Sequence, residues 1–169
     1  MPVYFIIDAD MKFSALDDTD RRLLDALQRD TSASNQSLAE RLDISPPTCL
    51  RRLRRLREDG WIQSEVAILD PARIGPMLTA VIEVSLDRQD AASLETFERR
   101  VAPDDAVQQC YRVSPGPDFV LIVAVRDMPG YQALAQRLFT SDANVRNVKA
   151  FFSVHRAKFA PQLPLPGPN

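Results

Sequence analysis

Five arginine side chains are concentrated in one twelve-residue segment, Pro46–Arg57. A helical spacing of about 100° per residue puts Leu50, Leu53 and Leu56 on one stripe of this segment. The opposite arc carries the polar side chains: Thr48, Arg51, Arg52, Arg55 and, at its flank, Arg54. Guanidinium groups donate paired hydrogen bonds to guanine edges and to phosphates, and an α-helix fits the major groove of DNA. The segment therefore predicts a helix that reads DNA.

Two observations favour a plainer interpretation of the same segment. Arginine-rich helices are common as solvated faces, and the whole chain prefers arginine, with 18 Arg against 3 Lys. Arg57 also projects close to the leucine stripe, so we expect a structural role for it. The elements that would position the segment decide between the two interpretations.

Two further helices are predicted ahead of the arginine-rich segment. The first is capped by Asp17 or Asp18 and is predicted to end near Asp30. The second starts at a cap of Ser34 or Asn35, with its leucines facing inward. Both are short and amphipathic, which is typical of helices that pack against each other in a small domain.

The third helix has the clearest start signal, because Ser45 precedes two prolines and a proline in the first helical turn loses no hydrogen bond. It is predicted to run to about Asp59 and to end at Gly60. Three short helices in this order describe a helix-turn-helix domain. We expect the helix starts around Ser34, Asn35 and Ser45 to hold DNA phosphates through their N–H groups.

The net charge of −2 and the sequence pI of about 5.4 at first argue against nucleic acid. Residues 1–45 carry 5 basic and 9 acidic side chains, and residues 58–169 carry 11 and 14. Residues 46–57 carry 5 basic side chains and no acidic one. The positive charge is therefore confined to one predicted helix, and paired helices are expected to be needed for binding.

The second half has a different periodicity. Trp61–Leu69 alternates loosely and predicts a strand or wing, and the prolines of residues 70–76 indicate a domain boundary. Strands are then predicted at Leu78–Leu86, Ala106–Val113, Asp118–Val125 and Val145–Val154, with helices at Ala91–Val101 and Met128–Thr140. The order β-α-β-β-α-β is that of a ferredoxin-like domain, with helices on one face of the sheet. The other face predicts a second subunit as its cover.

Residues that could do catalytic chemistry are few. The lone His155 would need an orienting carboxylate to act as a base, and Cys49 and Cys110 are placed like small core residues. Asp104 and Asp105 form an acidic pair that is typical of a solvated turn. No metal or cofactor site is indicated, and two cysteines predict neither a zinc finger nor a disulfide framework.

The termini are expected to lie outside the two domains. Val3–Ile7 is too short for a signal peptide, and residues 1–10 are interpreted as an extension or a short extra strand. Pro161–Asn169 is proline-rich and predicts an extended tail. No apolar run approaches the roughly 20 residues that a membrane span needs. With only two cysteines and no disulfide framework, a protein of the reducing cytoplasm is expected.

Two motifs resemble one known family. Asp17–Ile62, which ends in SPPTCLRRLRRLREDGWI, is similar to the DNA-binding half of the Lrp/AsnC transcription regulators, and Tyr111–Tyr131, YRVSPGPDFVLIVAVRDMPGY, resembles their effector (RAM) domain. The resemblance spans about residues 15–158 with both motifs in order. It implies an α+β protein with a winged helix-turn-helix domain at 15–62, a strand and linker at 63–76 and a ferredoxin-like domain at 77–158. An extension at 1–14 and a tail at 159–169 flank them.

The resemblance also implies a small-molecule site, usually for an amino acid, in a loop between subunits. Carried over by position, the loop residues are Ser114, Pro115, Gly116, Asp118 and Phe119. Proline stands where relatives have glycine, which removes a backbone donor. Val148 and Ala150 stand where relatives often have threonine, so the effector is expected to be larger or less polar than usual, or absent.

The expected partners follow from the resemblance: a roughly palindromic double-stranded operator, an amino-acid effector, and further copies of the chain as a dimer and an octamer. Two alternatives stay open. Some proteins similar to this family are sirohaem decarboxylases, for which Tyr111 and Arg112 would be the local candidate pair. A regulator without a ligand is the other.

Overall fold

The computed structural model describes residues 16–166, which form two compact units. The first unit holds the described residues up to Ala67 together with those from Phe159 onwards, and the second holds Ile68–Lys158. Each has its own buried apolar cluster. The division after Ala67 falls inside the predicted linker, residues 63–76.

Three helices build the first unit: α1 (Asp18–Arg29), α2 (Asn35–Leu42) and α3 (Pro46–Glu58). Each begins after one of the predicted caps, Asp17, Ser34 or Ser45, whose side chain accepts the N–H of the residue three positions later. A polar side chain at this position satisfies one of the free N–H groups of the first turn. The three predicted helix starts and the predicted ends of α1 and α3 are therefore confirmed to within one residue.

The turn between α2 and α3 depends on Asp43, which adopts a left-handed conformation at φ 56° and ψ 48°. Its N–H donates to carbonyls of the last turn of α2. Aspartate tolerates this region better than most residues with a Cβ. Asp43 therefore closes this turn although it carries a Cβ.

The predicted strand or wing at Trp61–Leu69 is wrong for the described structure, because this segment has no regular secondary structure. Val66, Ile68 and Leu69 are all exposed. A strand needs a neighbour to accept its backbone hydrogen bonds, and no strand in residues 16–166 pairs with this one. A one-turn helix, α4 (Pro71–Ile74), follows within the predicted boundary.

The second unit is a four-stranded antiparallel sheet with helices on one side. Its elements are β1 (Leu78–Leu86), α5 (Ala91–Val101), β2 (Val107–Arg112), β3 (Phe119–Val125), α6 (Met128–Ala135) and β4 (Val145–Phe152). A π-helical turn, Gln136–Thr140, extends α6. The strand order is β2-β3-β1-β4. The predicted α+β class and the predicted order of elements are confirmed.

The two faces of this sheet differ in burial. Alternate residues of β1 and β3 are fully buried beneath α5 and α6, where Phe97 stacks on Phe119 with 4.6 Å between ring centroids. The other face presents Val81, Val120 and Ile122, which are only half-buried. The register places Phe151 beside Val81 on that open face. An apolar sheet face of this kind is usually covered by another element.

The C-terminal tail is extended but packed on the first unit. Gln28 holds it from α1: its Nε2 donates to the Leu163 carbonyl at 3.1 Å, and its Oε1 accepts the Leu163 N–H at 2.6 Å. Arg21 Nε donates to the Pro166 carbonyl at 3.0 Å. Leu165 packs against the helix core. The first unit is therefore built from two distant parts of the chain.

The predicted extension at residues 1–14, with its possible strand within residues 1–10, lies outside the described residues. Within residues 16–166, no helix combines the length and the apolar character that crossing a bilayer requires. The same described part of the chain contains no group of three or more His, Cys, Asp or Glu side chains placed to hold a metal ion.

Candidate nucleic-acid interface and effector loop

The buried stripe of α3 consists of Cys49, Leu53 and Leu56. Leu50, predicted on this stripe, is 47% exposed, so that prediction is wrong. The physical reason is the helical repeat: positions 49, 53 and 56 follow the i, i+4, i+7 spacing of one face, whereas position 50 is rotated about 100° from position 49. The outward face of α3 is correspondingly centred on Arg51 and Arg54.

Arg52 and Arg55 are held by α1. Asp20 is 1% exposed, and its carboxylate accepts hydrogen bonds from Arg52 Nη1 at 2.8 Å and from Arg55 Nη2 at 2.5 Å. Arg52 also donates to Asp17 Oδ2 at 2.6 Å. A buried carboxylate needs such partners because it loses its hydration. These two arginines therefore fix α3 on α1, which restricts their freedom to meet DNA.

The remaining arginines of α3 divide into two kinds. Arg57 donates to Glu65 Oε1 through Nε at 3.0 Å and Nη2 at 2.7 Å, in the structural position expected for it. Arg51 and Arg54 are exposed, and neither forms an ion pair with a described residue. They are the arginines of this helix whose guanidinium groups are available to a ligand.

The contacts among Asp17, Asp20 and Arg52 also shift the pKa values of two of these groups. Burial alone would raise the pKa of the Asp17 carboxyl, but hydrogen bonds from the Asp20 N–H and from Arg52 hold that pKa below its ordinary value. The same contacts raise the pKa of Arg52, with the hydrogen bond to Asp17 as the largest cause. The pair stays charged at neutral pH.

The residues predicted to hold phosphates lie at helix starts. Ser34 Oγ accepts the Ser37 N–H at 3.1 Å, and Ser45 Oγ lies 2.9 Å from Thr48 Oγ1. Asn35 Nδ2 donates to the Pro46 carbonyl at 3.0 Å and so joins the start of α2 to that of α3. The two starts are thereby fixed relative to each other, and the exposed hydroxyls of Ser34 and Ser45 flank them.

The predicted effector loop joins β2 to β3, and Asp118 ties it to the end of β1. Asp118 Oδ2 accepts the Leu86 N–H at 2.6 Å, and the Asp118 N–H donates to the Val84 carbonyl at 2.9 Å. Ser114, Pro115 and Gly116 form the exposed tip. Gly116 has a φ of 127°, which side chains with a Cβ rarely adopt.

Phe119 does not lie on the loop surface. It is fully buried and stacks on Phe97 of α5, so it supports the loop from the core and presents no surface to a ligand. The sequence contains the signal for this position, because Phe119 continues the buried alternation of Leu121, Val123 and Val125.

The candidates for catalytic chemistry are dispersed. Tyr111 pairs with Val120 on the open face of the sheet, whereas Arg112 points to the helix side and forms an ion pair with Glu98. The pair considered for an anionic tetrapyrrole therefore lies on opposite faces.

Other candidates have structural surroundings. Asp104 is ion-paired with Arg137 at a turn, and His155 is exposed beyond β4. Burial raises the pKa of the Cys49 thiol and, together with Glu98, that of Cys110, which makes both weaker nucleophiles.

Sequence reasoning missed two contributors, Asp20 and Gln28. Asp20 is separated from Arg52 by 32 residues and Gln28 from Leu163 by 135, so no local pattern pairs them. An acidic residue on the inward face of α1, at i+3 from Asp17, is the one signal that could have indicated the first.

Comparisons with known proteins identify a DNA-binding part and a ligand-binding part of the chain. A family model described as winged helix-turn-helix DNA-binding matches residues 16–63, and one described as the Lrp/AsnC ligand binding domain matches residues 79–163. An HTH-type transcriptional regulator of Haemophilus influenzae is 34% identical over 143 residues, 85% of either chain. The leucine-responsive regulatory protein of Escherichia coli is 32% identical over 85% of this chain and 87% of its own.

A solved structure extends the likeness to the whole fold. A Neisseria meningitidis transcriptional regulator in complex with L-methionine superposes with a TM-score of 0.81 at 29% identity, covering 89% of this chain and 97% of its own. The superposition therefore includes residues of both units of this chain. The chain therefore belongs to the Lrp/AsnC family of helix-turn-helix transcriptional regulators.

Proposed function

We propose that this family member binds a roughly palindromic operator as a dimer or a larger ring of dimers, and that an amino acid at the effector loop changes its assembly and its DNA affinity. The observation that carries the proposal is the outward face of α3, where Arg51 and Arg54 are exposed while Arg52 and Arg55 are held by Asp20. The regulator would act in the cytoplasm, beside the DNA, without a catalytic step or a cofactor.

DNA contact in this proposal combines base reading with phosphate anchoring. Thr48, Arg51 and Arg54 would enter the major groove, and the helix starts at Ser34, Asn35 and Ser45 would meet phosphates. Arg52 and Arg55 would contribute by holding α3 in place and by adding positive potential. Two recognition helices about 34 Å apart would read the two halves of the operator.

Self-association is supported by the open face of the sheet. Val81, Val120, Ile122 and Phe151 form an apolar surface that no described element covers. A second copy laid on this face would bury it, as an antiparallel sheet with one helical layer requires. Ile122→Lys is expected to shift the mass measured by light scattering to that of a monomer, whereas Gln132→Lys, at an exposed position of α6, leaves it unchanged.

The effector proposal rests on the loop and on the relatives. Ser114, Pro115 and Gly116 are exposed at its tip, and Asp118 holds that tip against β1. The L-methionine complex of the Neisseria regulator supports an amino acid as the class of ligand. Because proline supplies no N–H, Ser114 Oγ and the Gly116 N–H are the donors we propose for its carboxylate.

A thermal-shift screen of the twenty amino acids, combined with light scattering and DNA-binding titrations, tests the effector proposal. A ligand that binds the folded chain raises the melting temperature by mass action. We expect one amino acid to raise it and to change both the particle mass and the DNA affinity, while its D-enantiomer does neither. DNA binding that persists while no amino acid has an effect would instead favour a regulator without a ligand.

A further inference from the structure

Leu50 is the leucine of helices α1–α3 that remains exposed. Its neighbours along α3, Leu53 and Leu56, are 5% and 0% exposed, whereas Leu50 is 47% exposed. Leaving a large apolar side chain in water has a cost that burial would recover. Leu50 lies in the second turn of the proposed reading helix, so it is placed to contact the surface that this helix binds.

The surroundings of Leu50 indicate what that surface is. Arg51 follows it directly, and Arg54 lies one turn later on the same side, at the i+4 position. Both arginine side chains are exposed and can bind an anion. An apolar side chain beside two free guanidinium groups matches the major groove, where guanine edges accept hydrogen bonds and thymine presents an apolar methyl group. A hydrophobic protein partner would not account for the arginines.

The contacts of the other arginines of α3 reduce the number of side chains that could read bases. Arg52, Arg55 and Arg57 are engaged by Asp20 and Glu65 and so offer little to bases. Direct reading by this helix is then left to few side chains. An apolar one among them can distinguish thymine from cytosine, because only thymine carries the C5-methyl group.

We infer that Leu50 is a specificity-determining residue that packs on the C5-methyl group of a thymine in each operator half-site. The inference rests on the proposed function, because it needs α3 in the major groove. Arg51 and Arg54 would position Leu50 there by binding the neighbouring edges and phosphates.

Deoxyuridine provides the test, since it differs from thymidine only by that methyl group. Duplexes are first selected from a random-sequence library by the wild-type protein, and each thymine of the selected sequence is then replaced by deoxyuridine in turn. At one thymine in each half-site we expect the wild-type affinity to fall about fourfold, the effect of leaving one methyl group unburied. Leu50→Ala should bind the two forms equally, while Leu50→Met, which stays apolar and long, should keep most of the difference.

Several outcomes separate the inference from the proposed function. A library that yields no preferred sequence contradicts the function itself. A preferred sequence with no thymine sensitive to the exchange contradicts only the role of Leu50, as does an unchanged thymine effect in Leu50→Ala. If Leu50→Ala changes the particle mass in light scattering, Leu50 contacts another protein chain and the inference fails. Melting curves of the variant should match those of the wild type, because Leu50 is not in the core.

Discussion

The two units of this regulator are stabilised by different chemistry. Among residues 16–166 the buried charged side chain is Asp20, and it lies in the DNA-binding unit with Arg52 and Arg55 around it. The effector unit, over the same described range, buries only apolar side chains, with Phe97 and Phe119 stacked at its centre. The DNA-binding unit also takes in the C-terminal tail, whereas the effector unit is one continuous stretch of chain.

In the DNA-binding unit this difference should link stability to the proposed DNA contact. The ion cluster of Asp20 fixes the helix that presents Leu50, Arg51 and Arg54, so a change of charge there should alter both folding and DNA binding. In the effector unit the polar groups of the loop sit at the edge of an apolar core. The stability of the effector unit should depend on how closely its apolar side chains pack. Its proposed ligand response should depend on the loop residues.

The largest effect is expected from a cavity in the effector unit. Phe97→Ala removes a fully buried ring, and such changes cost about 3–5 kcal/mol of the free energy of unfolding. Hydrogen–deuterium exchange should rise first in peptides of β1 and β3, and less in α1–α3. Met128→Ala, at an exposed position, is the control. Equal loss of protection in both units would contradict their separate cores.

The second-largest effect is expected from a substitution that breaks the ion cluster of Asp20, Arg52 and Arg55. Asp20→Ala leaves Arg52 and Arg55 without their shared carboxylate, and we expect a loss of about 3 kcal/mol, the lower end for buried pairs, because both arginines keep some access to water. Trp61, the single tryptophan, packs on this core, so its fluorescence reports the transition. Asp18→Ala, at an exposed position in the same helical turn, should cost less than about 1 kcal/mol. Similar losses in both variants would contradict the importance of the cluster.

A smaller effect tests whether the tail is part of the DNA-binding unit. Gln28→Ala removes both hydrogen bonds to Leu163, each worth about 0.5–1.5 kcal/mol, so we expect a loss of about 1–2 kcal/mol in the Trp61 transition. Gln36→Ala, which removes an exposed side-chain contact with Glu40 on α2, is the matched control. The tail is not integral to the unit if removal of residues 162–169 leaves the transition unchanged.

The smallest expected effect is a loss of stability at acidic pH. Because the pKa of Asp17 is lowered in the folded chain, its contribution is complete above the ordinary carboxyl pKa of about 3.9 and is lost as the pH falls below it. Asp142 of the effector unit behaves likewise: burial would raise its pKa, but Arg100 holds it low. Asp17→Asn should flatten the acid dependence of the Trp61 transition and leave the exchange of β4 peptides unaffected. A variant that keeps the full dependence would exclude Asp17 as its source.

Local patterns predicted most of the fold. The caps at Asp17, Ser34 and Ser45 and the alternation in β1 and β3 depend on neighbours in sequence, and these elements match the structure within one or two residues. The strand at 61–69 failed because pairing depends on a partner that the pattern does not contain.

The candidate site was harder to predict. Cysteine is apolar enough to replace a leucine in the buried stripe of α3, so the interpretation that favoured Leu50 over Cys49 rotated the predicted buried face by about 30°. The partners of Arg52 and Arg55 lie 32 to 35 residues away and follow only from tertiary packing.

The central claim is that the outward face of α3 reads DNA while its inward arginines hold the helix. Fluorescence anisotropy at several salt concentrations, on a library-selected duplex and on a scrambled duplex of the same composition, tests it most directly. We expect the wild type to prefer the selected duplex. Arg51→Ala combined with Arg54→Ala should remove that preference and lower the salt slope by about 1 for each phosphate that is no longer neutralised, with an unchanged Trp61 transition. A double variant that folds normally and still prefers the selected duplex would contradict the claim.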